Sequence, residues 1–186
     1  MRKIVVTEFV SLDGVMEAPG GDDGFRHGAW TMDYADDEGF GYKLDEVMEH
    51  DTLLLGRVTY QGFAAAWPSR DGDFADKMNG MEKVVVSTTL DELEWNNSRR
   101  VSDDVAEQVA ALKEQPGQDV LIAGSATLVR FLTAHDLIDE YRLMVFPVVL
   151  GGGKRVFADD GARKNLRLAG ARTLDSGSLI LTYERA

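Results

Sequence analysis

Three short stretches carry residues suited to holding an anion. The first is Gly56-Arg57-Val58-Thr59, which follows the apolar run Leu53-Leu54-Leu55 and precedes the helical pattern of Tyr60-Gln61-Gly62-Phe63-Ala64-Ala65-Ala66. Glycine lets the backbone turn sharply and approach a ligand. The start of the next helix offers unpaired N–H groups and a partial positive charge. Arg57 adds a bidentate donor. We read this turn as a cradle for the phosphates of a nucleotide cofactor; the alternative is an ordinary strand-turn-helix joint. A second unit of the same kind is Ala123-Gly124-Ser125-Ala126-Thr127, and Ser87-Thr88-Thr89 puts three hydroxyls on another exit turn. In an open α/β sheet, ligands bind outside the carboxyl ends of the strands. Two helix starts with hydroxyls and an arginine suit a diphosphate. The fingerprints G-x-G-x-x-G and G-x-x-x-x-G-K-[ST] are absent, so neither a standard Rossmann site nor a P-loop is expected.

Other candidates are less specific. Gly151-Gly152-Gly153-Lys154-Arg155 reads either as a second phosphate cradle or as a glycine-rich hairpin with solvated cations. Trp30 and Tyr60 are candidates for lining a substrate pocket, although aromatics also serve packing. His27, His50 and His135 lack metal-ligand spacing and read as surface or loop residues; no metal site is expected. Zero cysteines exclude disulfides, thiolate metal sites and cysteine nucleophiles. The net charge of −12 argues against nucleic-acid binding, which needs a basic face. An anionic ligand must therefore be met by local cations and backbone dipoles.

The elements that position these residues follow from punctuated apolar runs. Residues 3–10 read as a strand, and residues 19–37 as a long loop. That loop is aromatic-rich (Phe25, His27, Trp30, Tyr34) and is expected to fold over a pocket. Residues 37–49 form a helix with Phe40, Leu44, Val47 and Met48 on one stripe. The opening strand and helix end near Trp67-Pro68, and 69–80 is a polar segment with a short helix. Residues 83–87 are a buried strand, and 99–101 a short one. A helix over 103–114 turns Val105, Val109 and Leu112 inward, with Ser102 as N-cap and Pro116-Gly117 as its stop. Residues 119–122 are the next strand and 127–134 the next helix. Strands over 141–149, 166–174 and 179–183 close the pattern, with Asp175-Ser176-Gly177-Ser178 as a hairpin turn. Strand–helix units thus come first and an antiparallel hairpin last, on one sheet. A chain of 186 residues suits one domain. No apolar run approaches the roughly 18 residues a membrane span needs. The N-terminus enters a strand pattern without a signal-peptide region, so the expected compartment is the cytoplasm.

Five pieces in order carry a resemblance: Ser11-Leu12-Asp13-Gly14, Leu54-Leu55-Gly56-Arg57-Val58-Thr59, Val85-Val86-Ser87-Thr88, Leu121-Ile122-Ala123-Gly124-Ser125 and Pro147-Val148-Val149-Leu150-Gly151-Gly152. The sequence resembles the dihydrofolate reductase-like superfamily. Within it, the nearest likeness is to the reductase domain of the bifunctional riboflavin-biosynthesis deaminase-reductase and its stand-alone relatives. The resemblance implies a three-layer α/β fold: a central mixed, mostly parallel sheet with a C-terminal antiparallel hairpin and helices on both faces. It implies NADPH as cofactor, with phosphates at the turns of Gly56, Arg57, Val58 and Thr59 and of Ala123, Gly124, Ser125, Ala126 and Thr127. Arg57 with Ser87, Thr88 and Thr89 would face the adenosine end. Dihydrofolate reductases often carry a second arginine where this sequence has Ala126, which leaves NADH open. The Ala123–Gly124 bond matches a glycine pair that is cis in dihydrofolate reductase.

By the same resemblance Asp13 is the catalytic acid or substrate anchor; a plain Asp-Gly turn is the alternative. Gly151 and Lys154, with Arg155, fall on the substrate side. A folate-type reductase would want a carboxylate near Asp36, Asp37 and Glu38, without the tryptophan and proline that normally precede it. The implied activity is hydride transfer to a small heterocyclic or ribosyl-aminopyrimidine substrate. The alternatives are a folate-type or broad-specificity reductase, and a non-catalytic nucleotide-binding protein. A homodimer is also implied, with the apolar strand over 143–150 as its contact.

Overall fold

The computed structural model describes residues 1–21, 24–157, 159 and 162–186; the loop reading at Asp22 and Asp23 lies outside them. The elements run β1 (Ile4–Ser11), α1 (Asp37–Met48), β2 (His50–Gly56), α2 (Arg57–Ala66), α3 (Asp73–Gly80), β3 (Glu82–Val86) and β4 (Ser98–Val101). They continue α4 (Val105–Glu114), β5 (Asp119–Ala123), α5 (Ala126–Ala134), β6 (Glu140–Phe146), β7 (Leu166–Thr173) and β8 (Leu179–Arg185). The sheet order is β4-β3-β2-β5-β1-β6-β8-β7. Its first six strands are parallel, and β8 and β7 join antiparallel. This is the expected mixed sheet with a closing hairpin.

Strand periodicity sorts the core into two layers. Leu53 and Leu55 pack with Val47, Tyr60 and Met78, so α1, α2 and α3 cover one face. Leu54, Ile4 and Val6 pack with Val109, Leu112, Leu128 and Leu132, so α4 and α5 cover the other. Among the described residues, no helix is long and apolar enough to cross a membrane.

Several expectations change. Strand β6 ends at Phe146, where Pro147 removes a ladder donor. It lies between β1 and β8 with Leu143, Met144 and Phe146 buried, so β6 has no free edge to pair with a second copy. The exposed edge is β7. Helix α4 starts at Val105 behind a left-handed Asp104, not at a Ser102 cap. His50 is buried, and its Nδ1 donates to Glu46 O at 2.6 Å.

The long loop packs against the sheet end instead of spanning a pocket. Trp30 is 6% exposed, sits edge-to-face on Phe146 and donates from Nε1 to Glu17 O. It joins Val15, Met144, Leu150 and Leu174 in a third apolar cluster. Trp30 is therefore a packing residue rather than a pocket wall.

Candidate functional site

Strands β1 and β5 run together only from Ile4↔Val120 to Thr7↔Ala123, after which β1 continues with β6 alone as far as Ser11↔Phe146. The two strands fork there. The chain leaving β1 reaches α1 on one face, and the chain leaving β5 enters α5 on the other. Such a reversal opens a crevice at the carboxyl ends, where α/β sheets take their ligands.

Two backbone corners flank this crevice and are tied to each other. Gly56 N–H donates to Ser125 Oγ at 2.9 Å, and Ser125 N–H donates to Thr59 Oγ1 at 2.9 Å. Ser125 stands at the N-cap of α5 but does not cap it; its hydroxyl crosses to the other corner. Gly124 and Ser125 are both left-handed, with φ of +69° and +67°. A Cβ at Gly124 would lie 2.9 Å from Thr59 Cγ2, so only glycine fits. The first-turn N–H groups of α2 and α5, from Arg57, Val58, Thr59, Ala126 and Thr127, have no intrahelical acceptor. Both helix starts therefore present donors and a positive dipole end at the same edge.

One strand further out, Gly56 pairs in register with Val86, so Arg57 and Ser87 begin neighbouring exit turns. Arg57 is exposed, with Nη1 3.1 Å from Gln61 Oε1. Ser87 is buried, and its Oγ accepts from the N–H groups of Thr89 and Leu90 at 3.2 and 3.0 Å. Its hydroxyl shapes the turn, leaving the exposed Thr88 and Thr89 as outward donors. Arg100 on β4 braces the same turn through Leu90 O at 2.6 Å. The sequence showed Arg100 only as part of a short strand.

At the other end of the edge, Asp13 holds Gly151, and Glu17 holds Lys154 three residues on. Asp13 Oδ1 accepts from Ser11 Oγ at 2.7 Å and Leu150 N–H at 3.1 Å, and Oδ2 from Gly151 N–H at 2.9 Å. The Ser11 hydroxyl, with these amides, pulls the Asp13 carboxyl down to about 2. The lowered carboxyl favours the ionised form, so these contacts make Asp13 a clamp on the glycine turn and do not favour the acid reading. Glu17 receives both the backbone N–H and the Nζ of Lys154, at 2.9 and 3.1 Å. Arg155 Nε donates to Asp13 O at 3.1 Å.

Tyr60 is 2% exposed and its hydroxyl oxygen accepts from Trp95 N–H at 3.0 Å; it is core, because a buried tyrosine hydroxyl needs a partner. The carboxylates considered for a folate site are also committed. Asp36 Oδ1 caps Gly39 N–H at 2.6 Å, and Glu38 Oε2 takes Asp175 N–H at 3.4 Å. No peptide bond among the described residues is cis, Ala123–Gly124 included.

Glu8 was missed in the sequence. It is the one charged residue of β1, is 5% exposed, and accepts Gly124 N–H on Oε2 at 3.1 Å. A lone charge in a mostly apolar strand was the available signal.

The model of the RibD C-terminal domain matches residues 2–180. This chain belongs to that family. Protein YyaP of Bacillus subtilis (strain 168), itself uncharacterised, is 32% identical over 187 residues, covering 98% of this chain and 94% of YyaP. A candidate riboflavin biosynthesis protein from Shewanella sp. PV-4 superposes with a TM-score of 0.76 at 21% identity, covering 99% of both chains. Dihydrofolate reductase from Enterococcus faecalis, complexed with NADP(H), superposes with a TM-score of 0.64 at 15% identity, covering 98% of this chain and 96% of its own. The RibD C-terminal domain here thus has the expected dihydrofolate reductase-like architecture.

Proposed function

We propose that the protein is a NAD(P)H-dependent reductase of a small heterocyclic or ribosyl-aminopyrimidine substrate, similar to the reductase step of riboflavin biosynthesis. The observation that carries this is the pair of tied corners at the fork, Gly56–Thr59 and Gly124–Thr127, with both helix starts facing one crevice. The donor set fits a dinucleotide: two dipole ends for a diphosphate, one arginine and two exposed threonines for the adenosine end, and a glycine where a Cβ has no room. A reduced nicotinamide supplies a hydride when bound. The chain's residues bind and orient. Arg57, Thr88 and Thr89 hold a 2′-phosphate, the two corners hold the diphosphate, and Asp13 keeps the Gly151–Lys154 turn in shape beside the substrate. A folate-type substrate is disfavoured because Asp36 and Glu38 are tied to α1 and to the β7–β8 turn. The proposal carries with it a cytoplasmic location and a homodimer, the latter supported by the exposed edge at β7.

Arg57→Ala tests the orientation. Loss of a charged hydrogen bond costs about 1.5–3 kcal/mol, or about 10- to 100-fold in affinity. Calorimetry is expected to show that loss for NADPH and little change for NADH. Equal losses would remove the 2′-phosphate from Arg57.

A further inference from the structure

Four parallel strand ends lie side by side in the order β3, β2, β5, β1. Ser87 and Arg57 follow the first two, the Gly124 corner follows the third, and Glu8 stands on the fourth. A dinucleotide laid along this edge with its adenosine at Arg57 and its diphosphate at the corners brings its ring-bearing half to the fork. Glu8 is the first residue of β1 beyond the last β1–β5 pair, as Gly124 is of β5. Its Oε2 stitches the fork by accepting Gly124 N–H. Its Oε1 is buried and has no hydrogen-bond partner among the described residues. Buried polar atoms are nearly always paired, and an exception beside a ligand crevice calls for an explanation.

We propose that Glu8 is a ligand-contact residue whose Oε1 hydrogen-bonds the carboxamide on the ring-bearing half of the bound dinucleotide. The proposal rests on the dinucleotide reading above. The protonation state sets the sense of the bond. Burial drives the Glu8 carboxyl well above the usual range, and nearby Glu46 adds to it; Gly124 N–H and Lys43 pull the other way without offsetting it. Burial therefore favours the protonated form of Glu8. Because Oε2 accepts Gly124 N–H, a proton on this carboxyl belongs on Oε1, where it can be donated to a bound acceptor. A carboxamide oxygen is a neutral acceptor, which a neutral donor in a dry fork suits.

The test compares NADPH with adenosine 2′,5′-bisphosphate, which lacks the ring-bearing half, by calorimetry on the wild type, Glu8→Gln and Glu8→Met. Glu8→Met is expected to bind NADPH at least about tenfold more weakly, the scale of one lost hydrogen bond, with the bisphosphate unchanged. Glu8→Gln keeps an acceptor for Gly124 and a donor for the ligand, so it retains wild-type affinity. NADPH binding by Glu8→Met at wild-type strength, or equal loss of both ligands, would overturn the assignment of Glu8 alone. A wild type that binds neither ligand would overturn the dinucleotide reading itself. Should Glu8→Met not fold, infrared difference spectra decide. A protonated-carboxyl band absent from Glu8→Gln should shift with NADPH and stay put with the bisphosphate. Absence of that band, or of its shift, contradicts the proposal.

Discussion

Gly124→Ala is expected to abolish dinucleotide binding and to lower stability by about 2–5 kcal/mol. The figure combines two effects. A left-handed backbone costs an L-residue about 1–2 kcal/mol, and φ here is +69°. The new Cβ also falls 2.9 Å from Thr59 Cγ2 and 3.0 Å from its Oγ1, contacts too short to persist. Overpacking of this kind costs about 1–3 kcal/mol. Thr59 must move, and its Oγ1 is the acceptor for Ser125 N–H. The two corners then part, and with them the alignment of both helix starts. Adding Thr59→Ser to the variant removes Cγ2 and keeps the hydroxyl, so it should restore part of the stability. Thermal unfolding and calorimetry with NADPH read both effects. A Gly124→Ala protein with unchanged melting and binding would show that the corners do not depend on each other.

Glu46→Ala should be the most destabilising single change on the α1 face, by about 3–5 kcal/mol, the usual result of removing one partner from a buried ion pair. Glu46 is 2% exposed. Its Oε2 pairs with Lys43 and accepts Thr7 Oγ1 at 2.8 Å, and its Oε1 lies 3.8 Å from Arg142 Nη1. Arg142 retains Glu140 at 2.6 Å and Glu49 at 3.2 Å, but Lys43 is left with the Thr7 hydroxyl and the face of the Phe9 ring. The unpaired ammonium, 14% exposed, bears the cost. Glu46→Gln keeps an acceptor for Thr7 and should lie between. Urea denaturation measures the series; a loss below about 1 kcal/mol would mean that the pair behaves as a surface contact.

The element order was legible because each strand is an apolar run stopped by punctuation. Leu53-Leu54-Leu55 ends at Gly56 and Val84-Val85-Val86 at Ser87; both became central strands with covered faces. The glycine corners were legible for the same reason, since a strand, a glycine and a helix pattern define a turn locally. Their mutual hydrogen bonds were not, because Gly56 and Ser125 are 69 residues apart. The same limit explains Asp13. A turn dipeptide says nothing of amides 137 and 138 residues away, and those amides with Ser11 favour its ionised form and hold it on the glycine turn. Tyr60 and Trp30 looked like pocket aromatics because residue type does not say which way a side chain faces. Glu8 was passed over within a strand pattern, where only the fold shows that its neighbour is a corner and that one of its oxygens is unpaired.

The central claim is that one dinucleotide lies along the carboxyl edge of β3, β2, β5 and β1. Amide chemical-shift mapping of the ¹⁵N-labelled protein during titration with NADPH tests it most directly. Saturable shifts are expected at Arg57, Val58 and Thr59, at Ala126 and Thr127, and at Thr88, all with one affinity. Shifts confined to one of the two corners, or appearing at the opposite end of the sheet, would contradict it.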